Sequence, residues 1–360
     1  MSIDAGSADL KEEYHRYILR KILFISVLLA LIVFLSLFAL TLGGREITFI
    51  QAAGALWNHI TGNIPSLATP EGIDDYTVWE VRLPRVAIGI VAGAGLAIGG
   101  AAMQSAVKNP LADPYTTGIS SGAVFGVAVA LVLGFSVSSN TGNYGIVMNA
   151  FIFGMIPVAV ISVLAKFTHS SPATMILAGV AMSYLFNAFS TLLLVAANTE
   201  TLQAAYLWQI GTLENVNWGD FPLMCVVTIA GTAVLMLLSS KINLLTIGDA
   251  SAKSLGLDPE TLRIVILIIL SVMTASIVGF IGIIGFIGLV SPHIVRLIMG
   301  ADNRYLIPAS ALFGAAFLLI ADLISRLIIY PGSVAVGVTM SFIGAPIFLF
   351  LIIRTRKEVW

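Results

Sequence analysis

The sequence predicts an all-α polytopic membrane protein with ten transmembrane helices and both termini in the cytoplasm. Composition, the lengths of the apolar runs and the distribution of basic residues carry that prediction. Apolar residues make up 58% of the 360 residues and charged residues only 10%, with a mean hydropathy of +0.99. A soluble domain is about 45–50% apolar and about 25% charged, so this chain has too few charges to cover a water-facing surface of its size. A net charge of −1 provides no field for nucleic acid or for an acidic surface. One cysteine, Cys225, excludes an internal disulfide and any multi-cysteine metal or cluster site.

The first apolar run, 22–42, follows Lys11, Arg16, Arg20 and Lys21. That charge order matches a signal peptide, but the run is too long for one and no small-residue cleavage site follows. It is read as a retained span. About 20 apolar residues cross roughly 30 Å of hydrocarbon. Further runs at 84–106, 115–135, 144–166, 173–196, 221–240, 306–329 and 333–353 meet that length. The external segments 45–81 and 198–220 hold Ile47, Ile50, Ala53, Leu56 and Trp57, and Leu202, Tyr206 and Trp208. Both are expected to form helices on the membrane surface.

The stretch 264–295 decides the topology. As one helix its 32 residues would measure about 48 Å, well beyond one bilayer core. Gly279, Gly282, Gly285 and Gly288 recur every third residue, which predicts a break and two spans, the second short. Charge supports that choice. Ten spans put 14 basic residues on the face of the termini: Lys11, Arg16, Arg20, Lys21, Lys108, Lys166, Lys241, Lys253, Arg263, Arg296, Arg304, Arg354, Arg356 and Lys357. Only 4 lie opposite, namely Arg45, Arg82, Arg85 and Arg326. Nine spans would give 10 against 8, so the positive-inside rule selects ten. The chain 1–360 is then one transmembrane domain, with a cytoplasmic segment 1–21, a cytoplasmic loop 241–263 and a cytoplasmic tail 354–360.

The glycine cluster 93–100 lies inside an apolar 20-mer, with neither a preceding strand nor an acidic partner, so it is not a dinucleotide loop. Gly89/Gly93, Gly95/Gly99 and Gly118/Gly122/Gly126 have the spacing that close helix packing in lipid requires. No GxxxxGK[ST] loop occurs, so this chain has no Walker site for ATP. His15, His59, His169 and His293 lack any ligand spacing, and no cofactor or metal site is expected in this chain. Asp322 is the one acid clearly within a predicted span, and Arg326 four residues on supplies an i,i+4 partner rather than an ion pathway.

Two regions suggest partners. In 241–263, Asp249 is placed to cap a short helix ending at Gly256, and Asp258-Pro259-Glu260-Thr261 starts the next span. The result is a rigid cytoplasmic knob, either a tidy loop or a docking surface. Arg82, Arg85 and Arg326 sit at outer helix ends, either as headgroup anchors that snorkel or as receivers of carboxylates from an external protein.

At these residues the chain resembles the FecCD-type permeases, membrane subunits of binding-protein-dependent ABC importers for iron chelates, haem and cobalamin. The matching stretches are Arg82-Leu83-Pro84-Arg85, Gln104, Asn109-Pro110-Leu111-Ala112-Asp113-Pro114 and Gly118-Ile119-Ser120-Ser121-Gly122-Ala123. They continue with Ile247-Gly248-Asp249, Ala252, Leu255-Gly256 and the run Gly285-Phe286-Ile287-Gly288-Leu289-Val290-Ser291-Pro292-His293 with Arg296. Ala321-Asp322 with Arg326 and Gly344-Ala345-Pro346 complete the set.

The resemblance implies a type II ABC importer permease architecture in the prokaryotic plasma or inner membrane. It also implies a homodimer or a pair with a related permease, two cytoplasmic ATPases carrying ATP and Mg, and one external solute-binding protein. It further implies binding-protein docking at Arg82, Arg85 and Arg326. ATPase docking falls on Leu244, Gly248, Asp249, Ser251, Ala252, Leu255 and Gly256, and a cytoplasmic gate near Ser170 and Ser171. The chain itself is expected to be a transport subunit and not an enzyme, translocating a metal chelate, first a ferric siderophore and next cobalamin or haem. One departure stands out: Ser333-Val334-Ala335-Val336-Gly337 replaces the family's Glu-Leu-Pro-x-Gly before the last span. An ion-coupled secondary transporter is the alternative of a different class, and it would need buried acidic or histidine sites that this sequence lacks.

Overall fold

The computed structural model describes residues 3–137, 143–168, 171–329 and 332–354. These residues form fourteen α-helices: α1 (Ile3–Thr41), α2 (Phe49–Thr61), α3 (Pro70–Tyr76), α4 (Leu83–Val107), α5 (Ile119–Leu133), α6 (Asn143–Thr168) and α7 (Pro172–Val195), followed by α8 (Thr199–Gln209), α9 (Phe221–Ile247), α10 (Asp249–Ser254), α11 (Pro259–Ile281), α12 (Ile287–Met299), α13 (Asn303–Ile328) and α14 (Val336–Arg354). Eight helical stretches are long and apolar enough to cross a membrane, and α5 and α12 are shorter apolar helices. Residues 355–360 of the expected tail, and Ser170 of the expected gate, lie outside the described residues.

The two segments expected to be helical on the membrane surface, 45–81 and 198–220, do contain helices. Thr48 closes a capping box with Gln51 at the start of α2, and Gly62 ends that helix in the left-handed conformation. Asn198 caps α8 by accepting from the Thr201 N–H at 2.8 Å. The outer segment departs from expectation at its C-terminal end. The helix that enters the membrane begins at Pro70, not near residue 84, because Thr69 caps it and a π-helical turn, Thr77–Arg82, carries it into α4. Pro84 has no N–H to give. The widened turn accommodates that loss: the Leu83 N–H bonds to the Val78 carbonyl, and the Trp79 carbonyl accepts the Trp218 indole N–H at 2.8 Å. The predicted run 115–135 is likewise shortened to α5, because Gly118 is left-handed at φ 85° after the 3₁₀ turn Pro114–Thr117.

The expected break within 264–295 is a chain reversal between α11 and α12. Gly282 has a positive φ of 74°, in a region that favours glycine, and Phe286 is left-handed at φ 69°. Irregular backbone needs partners wherever water is excluded. Here the Gly211 N–H bonds to the Ile283 carbonyl at 3.1 Å, Thr212 N–H to Ile281 at 2.8 Å, and Gly337 N–H to Gly211 at 2.8 Å. After the reversal α12 runs about 20 Å and returns the chain to Asn303, which bonds Asn243 and Ser105 at 2.8–2.9 Å.

Contacts gather several basic residues at two opposite ends of the bundle. Lys21 lies over the Tyr305 ring, Lys108 pairs with Asp249, and Arg263 reaches Ala106 on one face. Arg82 and Arg326 meet the C-terminal end of α1 on the other.

Helix α4 is buried almost throughout and packs against α9, α11, α12 and α13. Two of its glycines set how near the neighbours come. A β-carbon on Gly93 would lie 2.5 Å from the Gly314 carbonyl oxygen of α13, and one on Gly100 would collide with the Gly288 carbonyl of α12. Gly54, inside α2, has nothing within 4 Å of the same position. Gly100→Ala is therefore expected to destabilise the bundle by about 1–3 kcal/mol, the usual range for overpacking. Gly54→Ala should instead stabilise α2 by roughly 0.5–1 kcal/mol. Thermal unfolding in detergent checks both, and equal effects of the two substitutions would contradict this account.

Candidate functional site

At one end of α4 and α13, three charged groups converge. Asp322 and Arg326 are one turn apart on α13 and pair with each other. The close α4–α13 contact also brings Arg85 within 2.7 Å of Asp322 Oδ1, and Arg85 Nε donates to the same oxygen at 2.8 Å. Asp322 is fully buried, and an isolated carboxylate there would be very costly. Two guanidiniums compensate it, which agrees with a structural partner and adds Arg85 to the pair foreseen from spacing.

Arg82 and Arg326 do not snorkel. They are 4% and 6% exposed, so the headgroup-anchor reading is corrected. Arg82 donates to Leu40 O at 2.6 Å and to Arg45 O. Arg326 donates to Ala39 O at 2.9 Å and Leu42 O at 3.3 Å. Ala39 and Leu40 lie in the last turn of α1, whose carbonyls no intrahelical N–H reaches, and Leu42 and Arg45 follow it. Beside Arg326 lies a recess of about 370 Å³ walled by Thr41, Leu42, Gly43, Glu46 and Ile47.

On the opposite face the knob forms, with one correction. Asp249 occupies the first turn of α10 without capping it. Its carboxylate takes Arg263 bidentately, at 2.9 Å and 2.5 Å, with Lys108 at 3.7 Å. Arg263, buried on α11, also donates to the Ala106 carbonyl of α4 at 2.9 Å. The Arg263 guanidinium holds the Asp249 carboxyl below the usual carboxylate range. Gly256 terminates α10 as expected: it is left-handed at φ 78°, and Leu257 and Gly256 donate back to Ala252 and Lys253, each at 3.0 Å.

Among the residues singled out for ATPase contact, Ser251, Leu255 and Gly256 are exposed, while Leu244 and Gly248 are half-buried. Ala252 is fully buried and supports the knob from inside, so it offers nothing to a partner. Ile247, 67% exposed, adds an apolar group next to Leu255, 64% exposed. Ser171 is the N-cap of α7, accepting from the Thr174 N–H at 3.3 Å.

A third feature was not legible in the sequence. A cavity of about 680 Å³ is bordered by Tyr144, Trp208, Glu214, Asp220, Phe280 and Ala335. At its edge the Ser333 hydroxyl donates to Glu214 Oε1. The loop before α9 thus supplies a carboxylate beside the segment whose own acid is missing. Among the described residues no group of three or more His, Cys, Asp or Glu is placed to hold a metal.

Eight apolar helical stretches long enough to cross a membrane, with a short helical knob fastened by an arginine–carboxylate pair, give the described residues the character of a multi-pass membrane protein. Residues 28–354 match the FecCD transport family. An ABC transporter permease protein of Methanocaldococcus jannaschii is 40% identical over 360 residues, covering 98% of this chain and 100% of that one. The hemin transport system permease protein of Yersinia pestis is 35% identical over 338 residues, covering 93% and 97%. A solved metal-chelate type ABC transporter in an inward-facing conformation superposes with a TM-score of 0.79 at 28% identity, over 92% of this chain and 98% of that one. The chain belongs to the FecCD transport family, and it is a multi-pass ABC-transporter permease of the cell membrane.

The knob's geometry generates a graded test. Gly256→Ala meets no steric neighbour but places a β-carbon in the left-handed region, at a cost of roughly 1–2 kcal/mol. It should loosen the knob and reduce ATPase co-purification while membrane insertion is kept. Leu255→Asp should reduce co-purification without changing stability. The depressed Asp249 pKa contributes stability that is complete above the unfolded carboxyl value of about 4 and is lost only as pH falls through the lower folded value. Complex yield should accordingly be level between pH 7 and 5.

Proposed function

We propose that this chain forms, as a homodimer or with a related permease, the membrane pathway of an ATP-driven importer for a metal chelate, with ferric siderophore as first substrate. On this reading the chain crosses the membrane ten times, counting the short α5 and α12, and both termini are cytoplasmic. The partition of basic residues between the two faces supports it. Two ATPases carrying ATP and Mg bind the knob, and an external binding protein docks at the rim of Arg82, Arg85 and Arg326. The chain itself hydrolyses nothing.

The observation that carries this reading is the knob: an apolar tip of Ile247 and Leu255 on a base locked by Asp249, Arg263 and Ala106. Such a base transmits a push instead of absorbing it. The metal-chelate substrate class draws support from the hemin permease and from the chelate-type structural neighbour. An ion-coupled transporter fits less well, because the buried acid Asp322 is already neutralised by two arginines.

Reconstitution tests the reading. Liposomes holding the permease alone should neither hydrolyse ATP nor accumulate chelate, and adding the ATPase and loaded binding protein should give uptake. Uptake by the isolated chain under a proton or sodium gradient would overturn it. Titrating the binding protein with a ferric siderophore, haem and cobalamin should show tightest binding of the siderophore, and preference for either other ligand reassigns the substrate. Docking should weaken as salt rises and in Arg85→Gln. Unchanged receptor affinity in a variant that still co-purifies with ATPase removes the docking assignment.

A further inference from the structure

The arginines at this end are already engaged within the chain, and their partners belong to the end of α1, a helix packed chiefly against α13. Four carbonyls at and beyond the last turn of α1, those of Ala39, Leu40, Leu42 and Arg45, accept from Arg326 and Arg82. A helix end leaves such carbonyls without intrahelical donors, so the two guanidiniums act as its C-terminal cap. Gly43 is fitted to this arrangement. It has φ +155°, and a β-carbon there would stand 2.9 Å from the Arg82 guanidinium. Only 22% of the spanning window of α1 is buried: Ile32, Leu35, Ala39 and Leu40 meet α4 and α13 near this end, while Lys21, Phe24 and Ile25 anchor the other end.

These contacts are exchangeable. Neutral carbonyls are weaker acceptors for a guanidinium than a carboxylate, which makes charge-assisted bonds about twice as strong and takes the fork bidentately. Arg326 is also incompletely satisfied, since its Nε is buried without an acceptor. The recess beside it, walled by Thr41, Leu42, Gly43, Glu46 and Ile47, leaves room for an entering group.

We infer that binding-protein docking and the capping of α1 compete for the same guanidiniums. Carboxylates of the docked protein draw Arg82 and Arg326 away from the α1 carbonyls and release the end of that helix. The inference rests on the docking reading above and adds its consequence inside the membrane subunit: α1 is the element that senses whether the receptor is seated. Asp322, fully buried and paired to Arg85 and Arg326, keeps the arginine cluster from dispersing when the carbonyls are given up.

Hydrogen–deuterium exchange on the full permease–ATPase complex in nanodiscs, with and without its binding protein, reads this directly in residues 38–45. Without binding protein, Arg82→Gln and Arg326→Gln should raise exchange there about tenfold, the effect of losing one charged hydrogen bond. The wild type should show a similar rise on docking, with exchange in α11 unchanged. If the binding protein docks in an arginine-dependent way and residues 38–45 do not respond, the coupling is wrong while the docking reading stands. If it binds both Gln variants as tightly as wild type, the docking reading fails and takes the inference with it. Should the Gln variants misfold, Gly43→Ala displaces the Arg82 fork while keeping every charge. Unchanged exchange at 38–45 in that variant also overturns the capping role.

Discussion

How closely other helices approach α4 governs the whole arrangement. In lipid there is no hydrophobic gain from bringing two apolar helices together, so association depends on backbones coming near enough for dispersion and short polar contacts. Gly93 against Gly314 and Gly100 against Gly288 permit that approach. The first contact brings Arg85 to Asp322 from residues 237 positions apart. The second seats the short helix α12 against α4 below the chain reversal, where the Gln104 side chain donates to the Gly288 carbonyl at 3.3 Å. The Arg85–Asp322 contact and the seating of α12 both depend on small residues of α4.

The same helix joins the arginine cluster to the knob. Helix α4 is 25 residues long, about 37 Å, which is enough to run from one face to the other. At one end stand Arg85 and, in the turn just before it, Arg82. At the other, the Ala106 carbonyl accepts Arg263, and Lys108 approaches the same Asp249 that locks the knob. A rigid helix with a charged contact at each end physically links the arginine cluster to the knob, and on the proposed reading it links receptor to ATPase. Its buried, glycine-set packing leaves it little freedom to bend in response to force at either end.

Charge is treated alike on both faces. Arg263, Arg82 and Arg326 are all buried, and each reaches backbone carbonyls as well as, for two of them, a carboxylate. Guanidinium suits this role because it stays charged and offers five donors in a planar fork. Lysine, a compact point charge, could not satisfy a carbonyl and a carboxylate oxygen in the same plane.

The sequence by itself determined what depends on local chemistry and on counting. Apolar run length located most of the long helices, and the spacing of Gly279, Gly282, Gly285 and Gly288 located the reversal between α11 and α12. Gly256 and Asp258 marked the knob's boundaries because helix ends are written in two or three adjacent residues. The matching motifs of the FecCD transport family pointed to the partners. Tertiary structure alone decided who pairs with whom. Asp249 reads as a cap in one dimension, yet Arg263, fourteen residues on, takes it bidentately. Arg82 and Arg326 read as exposed helix-end arginines, yet they close the end of α1. Glu214 meets Ser333 across 119 positions. No periodicity records such pairings, because they arise only when helix packing has fixed distances between residues far apart in the chain, and at those distances a charged group takes the strongest acceptor it can reach.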